Sequence, residues 1–150
     1  RASVSKAMMV REAGDGDISQ MMALLEECHH ESGFLECFDE EYSEKLLRHY
    51  MQDEKSRVFV FGEFPLGVLV LTQSPLHFNA ACVAGVEVAF WAKQGGKQLV
   101  AAAKDWMESE DLSRLRFSNE IHTRSGSLDR WYQRQGFERF AIEYVYTGDA

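Results

Sequence analysis

The stretch from Cys82 to Glu110 constrains this chain more than any other. It reads CVAGVEVAFW, then AKQGG, then KQLVAAAKDWMESE. The first part is a run of β-branched and aromatic residues with a single acid, Glu87, and is predicted to be a strand. A short loop with two adjacent glycines, Gly95 and Gly96, follows. Leu99, Val100, Ala103, Trp106 and Met107 then recur at helical spacing, one apolar stripe on a helix of about four turns. A strand that enters a helix through such a loop leaves the helix's first N–H groups without partners and aimed at the loop. The loop is therefore a candidate site for phosphate or another anion.

The remaining residues frame that unit. The chain has 150 residues, the size of one domain. We read 8–150 as that domain and 1–7 (RASVSKA) as a tail or an expression remnant. A formal charge of −8 argues against nucleic-acid binding through a broad basic face. No apolar run approaches the roughly 20 residues that cross a bilayer, and there is no signal-peptide core. Three cysteines (Cys28, Cys37 and Cys82) without metal-like spacing suggest reduced thiols in a cytoplasm. Cys28, His29, His30, Glu31 and Cys37 are adjacent or on different helix faces, so they are read as a helix end and not as a metal set.

In chain order, Met8–Arg11 is predicted to be a first strand. Asp17 with Gln20 resembles a capping box for a helix whose face carries Ile18, Met21, Met22, Leu25 and Cys28, ending near His30. A second helix is expected from Asp39 to Gln52, marked by Tyr42, Leu46, Leu47 and Tyr50. Val58–Phe61 and Gly67–Leu71 flank GEFPLG as a hairpin whose continuous apolar character implies cover on both faces. Ser74–Ala80 reads as a polar break. After the strand–loop–helix unit, Arg114–Ser118 is a fifth strand. Ser125 and Ser127 are candidate N-caps of a short helix carrying Leu128, Trp131 and Tyr132, stopped by Gly136 in the left-handed conformation. Phe137–Tyr146 alternates strictly, as a half-buried antiparallel strand does. The order is β-α-α-β-β-β-α-β-α-β, a mixed α/β (α+β) sheet with helices on its faces. Its hairpin needs antiparallel pairing and its Cys82–Ser118 unit a parallel crossover.

This order, the strand entering an anion loop and the late Tyr132-Gln-Arg-Gln-Gly136-Phe137 together resemble the GNAT family of acyl-CoA-dependent N-acyltransferases. The last segment is similar to that family's C-terminal signature, and Val86–Trp106 to its coenzyme-binding motif. The loop departs from the family's Arg/Gln-x-x-Gly-x-Gly/Ala pattern: AKQGGKQL is shorter, lacks the arginine and has adjacent glycines. In that alignment Gln94 stands at the middle glycine and Gly96 at the last, with Lys93 or Lys97 left to supply positive charge.

The resemblance implies acetyl-CoA as acyl donor and a primary amine of a small molecule or peptide as acceptor. It assigns coenzyme contact to the backbone of Val88, Ala89, Phe90 and Trp91, to the loop and helix start at Lys93, Gln94, Gly95, Gly96, Lys97 and Gln98, and to Ser125. Transfer to an amine needs a proton acceptor for the nucleophile, donors for the oxyanion and a donor for the departing sulfur. Glu87, the one acid in an apolar strand, is the candidate base, its pKa expected to rise if a cleft partly buries it. Tyr132 is the candidate donor to sulfur, with aromatic packing as the competing role. Asn119, His122 and Cys82 are weaker candidates for cleft residues or a nucleophile. Two other functions fit the residues: a catalytically degenerate GNAT-fold binding or assembly module, for example in a phage particle, or an unrelated α/β binding domain. An aromatic-rich last strand also offers an edge for a homodimer.

Overall fold

The structure is a computed structural model and describes residues 8–34, 36–119 and 125–148, with the backbone alone at 125. Expectations about residues 1–7, about His122 and about the Ser125 side chain lie outside what is described. Its elements are β1 (Val10–Glu12), α1 (Ile18–Glu31), α2 (Glu40–Gln52), β2 (Arg57–Phe61), β3 (Gly67–Leu76), β4 (Asn79–Ala92), α3 (Gly96–Ser109), β5 (Arg114–Arg116) and α4 (Ser125–Arg134). Among the described residues five strands form one sheet in the order β1-β2-β3-β4-β5. The first four are antiparallel to their neighbours, and β5 joins β4 in parallel.

The apolar patterning accounts for the layers. Met21, Met22, Leu24 and Leu47 of α1 and α2 bury one sheet face with Val58, Val60, Val68 and Val70. Leu99, Ala103 and Trp106 of α3 bury the other with Phe61, Leu69 and Leu71. β2 and β3 supply both cores, which is why their sequences are apolar at consecutive positions. Asp39 caps α2 as expected, accepting from the Tyr42 amide at 2.9 Å. Gly136 takes φ +89 behind α4, where the amides of Gly136 and Phe137 bond to the carbonyls of Gln133 and Tyr132.

The structure corrects three local expectations. Asp17 stands at the N-cap position of α1, but its side chain makes no capping bond to the helix and no box with Gln20. It closes a 3-10 turn (Asp15–Asp17), and its carboxylate accepts from the Gly14 amide at 2.8 Å and from both Arg11 guanidinium nitrogens at 2.7 and 2.8 Å. Gln20 instead donates to the Pro65 carbonyl at 3.0 Å. The polar segment Ser74–Ala80 is no break: β3 continues to Leu76, reverses at 77–78 and returns as β4. β2 stops pairing at Leu71, so β3 is an edge strand beyond it and tolerates Pro75. Finally, 137–148, expected to be a half-buried antiparallel strand, joins no ladder among the described residues and is largely exposed, and β5 offers only three paired residues.

The Arg11–Asp17 pair makes the fold acid-sensitive. The Arg11 hydrogen bonds, opposed by burial and aided by the Gly14 amide, hold the Asp17 carboxyl below its ordinary pKa. A depressed carboxyl stabilises the fold above its unfolded pKa, and that contribution is lost as pH falls through the folded value. Asp17→Asn is therefore expected to destabilise at neutral pH by about 1–2 kcal/mol, a figure discounted because Arg11 is 39% exposed. Thermal melts at pH 7 and pH 3 would check this: the difference between variant and wild type should shrink at the lower pH.

Candidate active site

The site begins with an irregularity in β4. Val70 pairs with Ala89 and Leu71 with Glu87, leaving Val88 as an extra residue. Residues directly opposite one another share a face. Leu71 belongs to the core under α3 and Val70 to the core under α1 and α2. The bulge therefore carries Glu87 to the α3 face, while Ala89 and Trp91 pack on the α1–α2 face.

Past the bulge β4 has an open edge. Its parallel ladder with β5 covers only Ala84–Val86 against Arg114–Arg116. From Glu87 to Ala92 no strand lies on that side among the described residues. The edge borders a cleft of about 1100 Å³ that runs from α1 and α2, around the edge, to the start of α3 and the face of α4. Of the residues singled out from sequence, Glu87, Val88, Ala89, Phe90, Trp91, Lys93, Gln94, Gly95, Gly96, Lys97, Asn119 and Tyr132 line it. Gln98 does not: its side chain is exposed on the first turn of α3 outside the cleft. Cys82 also lies outside it, near the start of β4, where its sulfur accepts from the side-chain Nδ2 of Asn79 at 3.2 Å.

The loop is held by its main chain. The amides of Lys93 and Gln94 donate to the Leu66 carbonyl at 2.9 and 3.3 Å. Gly95 adopts φ +83 as the residue preceding α3, and its carbonyl accepts the first helical bond, from Leu99. The amides that open α3 have no preceding turn to bond and end in the cleft wall at Gly96 and Lys97. Lys93 is less available than its position suggests, because its ammonium lies 2.8 Å from Glu27 of α1. Glu27 also accepts from the Trp91 indole at 3.1 Å. The Lys93 bond first, then the Trp91 bond, lowers the pKa of Glu27. Among the described residues Lys97 and Arg134 also stand on the cleft wall, the latter not anticipated from sequence.

Glu87 and Tyr132 meet through Ser118. The Ser118 hydroxyl donates to Glu87 Oε1 and the Tyr132 hydroxyl to the Ser118 carbonyl, both at 3.4 Å, the outer limit of a hydrogen bond. Burial first, then the Glu87 charge, then Cys28, raises the Tyr132 phenol well above its ordinary value. It therefore stays protonated through the neutral and alkaline range. Its ring also packs against Phe117, Trp131 and Phe137 at centroid distances of 5.9, 5.3 and 5.6 Å. Packing and a polar role thus coexist at this residue. Ser118 and Glu27 are not legible from sequence as site residues, since each is one polar residue among many, with partners 31 and 64 positions away.

Solved structures share this architecture. AAC(6')-Iy in complex with the bisubstrate analogue CoA-S-monomethyl-acetylneamine superposes with a TM-score of 0.74 at 12% identity, over 95% of this chain and 99% of that one. Glucosamine-6-phosphate N-acetyltransferase from Arabidopsis thaliana gives 0.68 at 13% identity, over 95% and 99%. The fold is that of the GNAT acetyltransferases. A transcriptional regulator from Bacillus halodurans C-125 also shares it, with a TM-score of 0.69 at 18% identity, over 93% and 99%. No family model matches the chain, and no curated protein matches it in sequence. In this chain the open β4 edge and the α3 N-terminus border one cleft, and Glu27 ties the loop to α1. Among the described residues no helix is long and apolar enough to cross a membrane.

Proposed function

We propose that this chain transfers an acetyl group from acetyl-CoA to a primary amine of a small molecule or peptide. The observation that carries this reading is the convergence, on one cleft, of a strand edge with spare amides, a helix N-terminus, the Glu87 carboxylate and the protonated phenol of Tyr132. The donor set suits acetyl-CoA. Strand-edge amides match its extended pantetheine arm, and the α3 amides with Lys97 match its pyrophosphate. A Cβ added at Gly96 would meet nothing nearer than 3.5 Å, so the backbone there is open to approach.

When bound, acetyl-CoA supplies a thioester whose carbonyl carbon is the electrophile. The chain's groups then have separate tasks. Glu87 accepts the proton that the amine loses as its nitrogen bonds to that carbon. Amides at the Val88 bulge donate to the carbonyl oxygen as negative charge gathers there. Tyr132 donates a hydrogen bond to the sulfur as the carbon–sulfur bond breaks. An ordinary thiol has a pKa near 8.5, below that of a phenol, so complete transfer of the Tyr132 proton is uphill. The tyrosine therefore stabilises the thiolate, and the proton released from the amine through Glu87 ends on coenzyme A by way of solvent. The products are an N-acetylated amine and free coenzyme A.

Titration calorimetry with acetyl-CoA tests the first requirement. A dissociation constant below about 100 μM, within the usual range of KM, supports the reading, and no heat at millimolar ligand sinks it. Tyr132→Phe is expected to lower kcat about tenfold with KM for acetyl-CoA within about twofold. The phenolate absorbance of that variant should match wild type up to about pH 11, since the missing tyrosine is the last to ionise.

A second reading has an observation of its own. The loop lacks an arginine, and Lys93, the nearest cation, is engaged by Glu27. Weak pyrophosphate binding would leave a GNAT-fold binding module without turnover, which the absence of heat in the calorimeter would support.

A further inference from the structure

The cleft is divided by charge. At one end stand Lys97, Arg134 and the amides that open α3. At the other, in the trough between α1, α2 and the sheet, the charged side chains are Glu27, Glu31 and Asp39. Among the described residues no Lys or Arg of α1, α2 or the segment between them lines the cleft. Lys93, at the boundary, is paired with Glu27. The rest of the trough is apolar and largely aromatic. Tyr42, Leu46 and Tyr50 recur every four residues along α2 and so share one face. Leu25 and Cys28 line the trough from α1, and Ala89 and Trp91 from the sheet. Phe34 and Phe38 complete the wall, their rings 5.5 and 5.6 Å from the ring of His29. The His29 Nε2 donates to the Glu36 carbonyl at 2.7 Å, which fixes the ring against which both pack. Phe34 and Tyr42 nevertheless stay 53% and 63% exposed. Aromatic faces held open on a cleft wall suit a flat apolar ligand.

We propose that the acceptor is a primary amine with a single positive charge, carried on a short alkyl chain that ends in an aromatic ring. This rests on the transferase reading for its chemistry, though not for its binding. The ring lies in the trough against Tyr42 and Trp91. Ala89 in the trough and Glu87 are two residues apart on β4, roughly 7 Å. A two-carbon chain spans that interval with its nitrogen hydrogen-bonded to Glu87. The α1 wall meets the open edge at Cys28, whose thiol reaches the Phe90 carbonyl at 3.9 Å, so trough and edge are continuous. Glu31 and the aromatic faces draw the ammonium in. Loss of its proton to Glu87 frees the lone pair that bonds to the thioester carbon, and the carbon–sulfur bond breaks to release coenzyme A.

Two other classes of amine fit this trough worse. A phosphorylated or polyhydroxylated amine would set its oxygens against apolar side chains and acids, with no Lys or Arg of α1 or α2 to meet them. Polar groups buried without partners are costly. A polycation needs several free carboxylates. Glu27, however, is held by Lys93 and Trp91, and Asp39 caps α2.

Calorimetry of the full chain with 2-phenylethylamine, in about 1 mM coenzyme A, reads binding without transfer. A dissociation constant below about 1 mM is expected, the upper end of ordinary KM values. Glucosamine 6-phosphate and spermidine should bind at least about tenfold more weakly. Tyr42→Ala keeps the backbone amide that bonds to Asp39 and should weaken 2-phenylethylamine about tenfold. Tyr42→Phe should bind it within about twofold of wild type. Thiol release from acetyl-CoA should rank the three amines in the same order. No heat with 2-phenylethylamine at about 10 mM overturns the proposal. Tighter binding of either other amine does so as well, as does a Tyr42→Ala variant that binds like wild type. Binding in the expected order without thiol release upholds the trough and sinks the transferase reading instead. Thiol release with spermidine or glucosamine 6-phosphate alone does the reverse.

Discussion

Glu87→Gln is expected to lower kcat by about 10²–10³-fold while acetyl-CoA affinity stays within about threefold. The amide keeps the shape of the side chain and can still accept from the Ser118 hydroxyl, so the β4 edge and the loop should not move. Only the capacity to take a proton is lost, and general-base contributions of this kind are typically 10²–10⁴-fold. Each tenfold corresponds to about 1.4 kcal/mol in the barrier, so the change asks about 3–4 kcal/mol of one carboxylate. Free thiol released from acetyl-CoA with a panel of primary amines reads the rate, and calorimetry reads the affinity. A fall in rate toward acid pH is expected of wild type if Glu87 is the base, and the variant should lack it. A variant with wild-type turnover and an unchanged pH profile would remove Glu87 from the mechanism.

Gly95→Ala is expected to be the most damaging single substitution in the loop, costing about 2–5 kcal/mol of stability. Two independent penalties add. Gly95 holds φ +83, where a side chain strains the backbone by about 1–2 kcal/mol. A Cβ there would also stand 2.1 Å from the buried Phe61 ring, so the core would have to shift, at a cost of about 1–3 kcal/mol. For a chain of this size the melting temperature should fall by about 10 °C. Gly96→Ala is the control: its nearest contact would be 3.5 Å away and its φ is not left-handed, so melting should be nearly unchanged. Equal losses at both positions would mean that the loop is not built as described. The adjacent glycines thus have different tasks, one conformational and one of clearance.

The sequence carries the site in its coarse form because coarse features are local. An apolar run, two glycines and a stripe at helical spacing identify β4, the loop and α3 without reference to other residues. A single acid in VEVAFW singles out Glu87 for the same reason. The bulge at Val88 is hidden because β4 is covered on both faces past Glu87, so its sequence lacks the alternation that reveals a change of face. Pro75 reads as a loop signal since its tolerance depends on β2 ending earlier, a fact about another strand. The tail's alternation predicts a strand that the structure does not form: a ladder needs a neighbour of matching length, and β5 is too short. Glu27 and Ser118 depend wholly on distant partners, which composition and spacing do not encode.

The turn between β2 and β3 has an unusual division of labour. The Glu63 carbonyl accepts from Arg11 at 2.9 Å, that of Pro65 from Gln20 at 3.0 Å, and that of Leu66 from both Lys93 and Gln94. Three separate parts of the molecule therefore hang from the peptide groups of one reversal, while the Phe64 side chain beside them is 64% exposed. Such a reversal behaves as a keystone: its outward decoration is free to drift over time, but its path is not, and a small change of that path would be felt at the loop before α3.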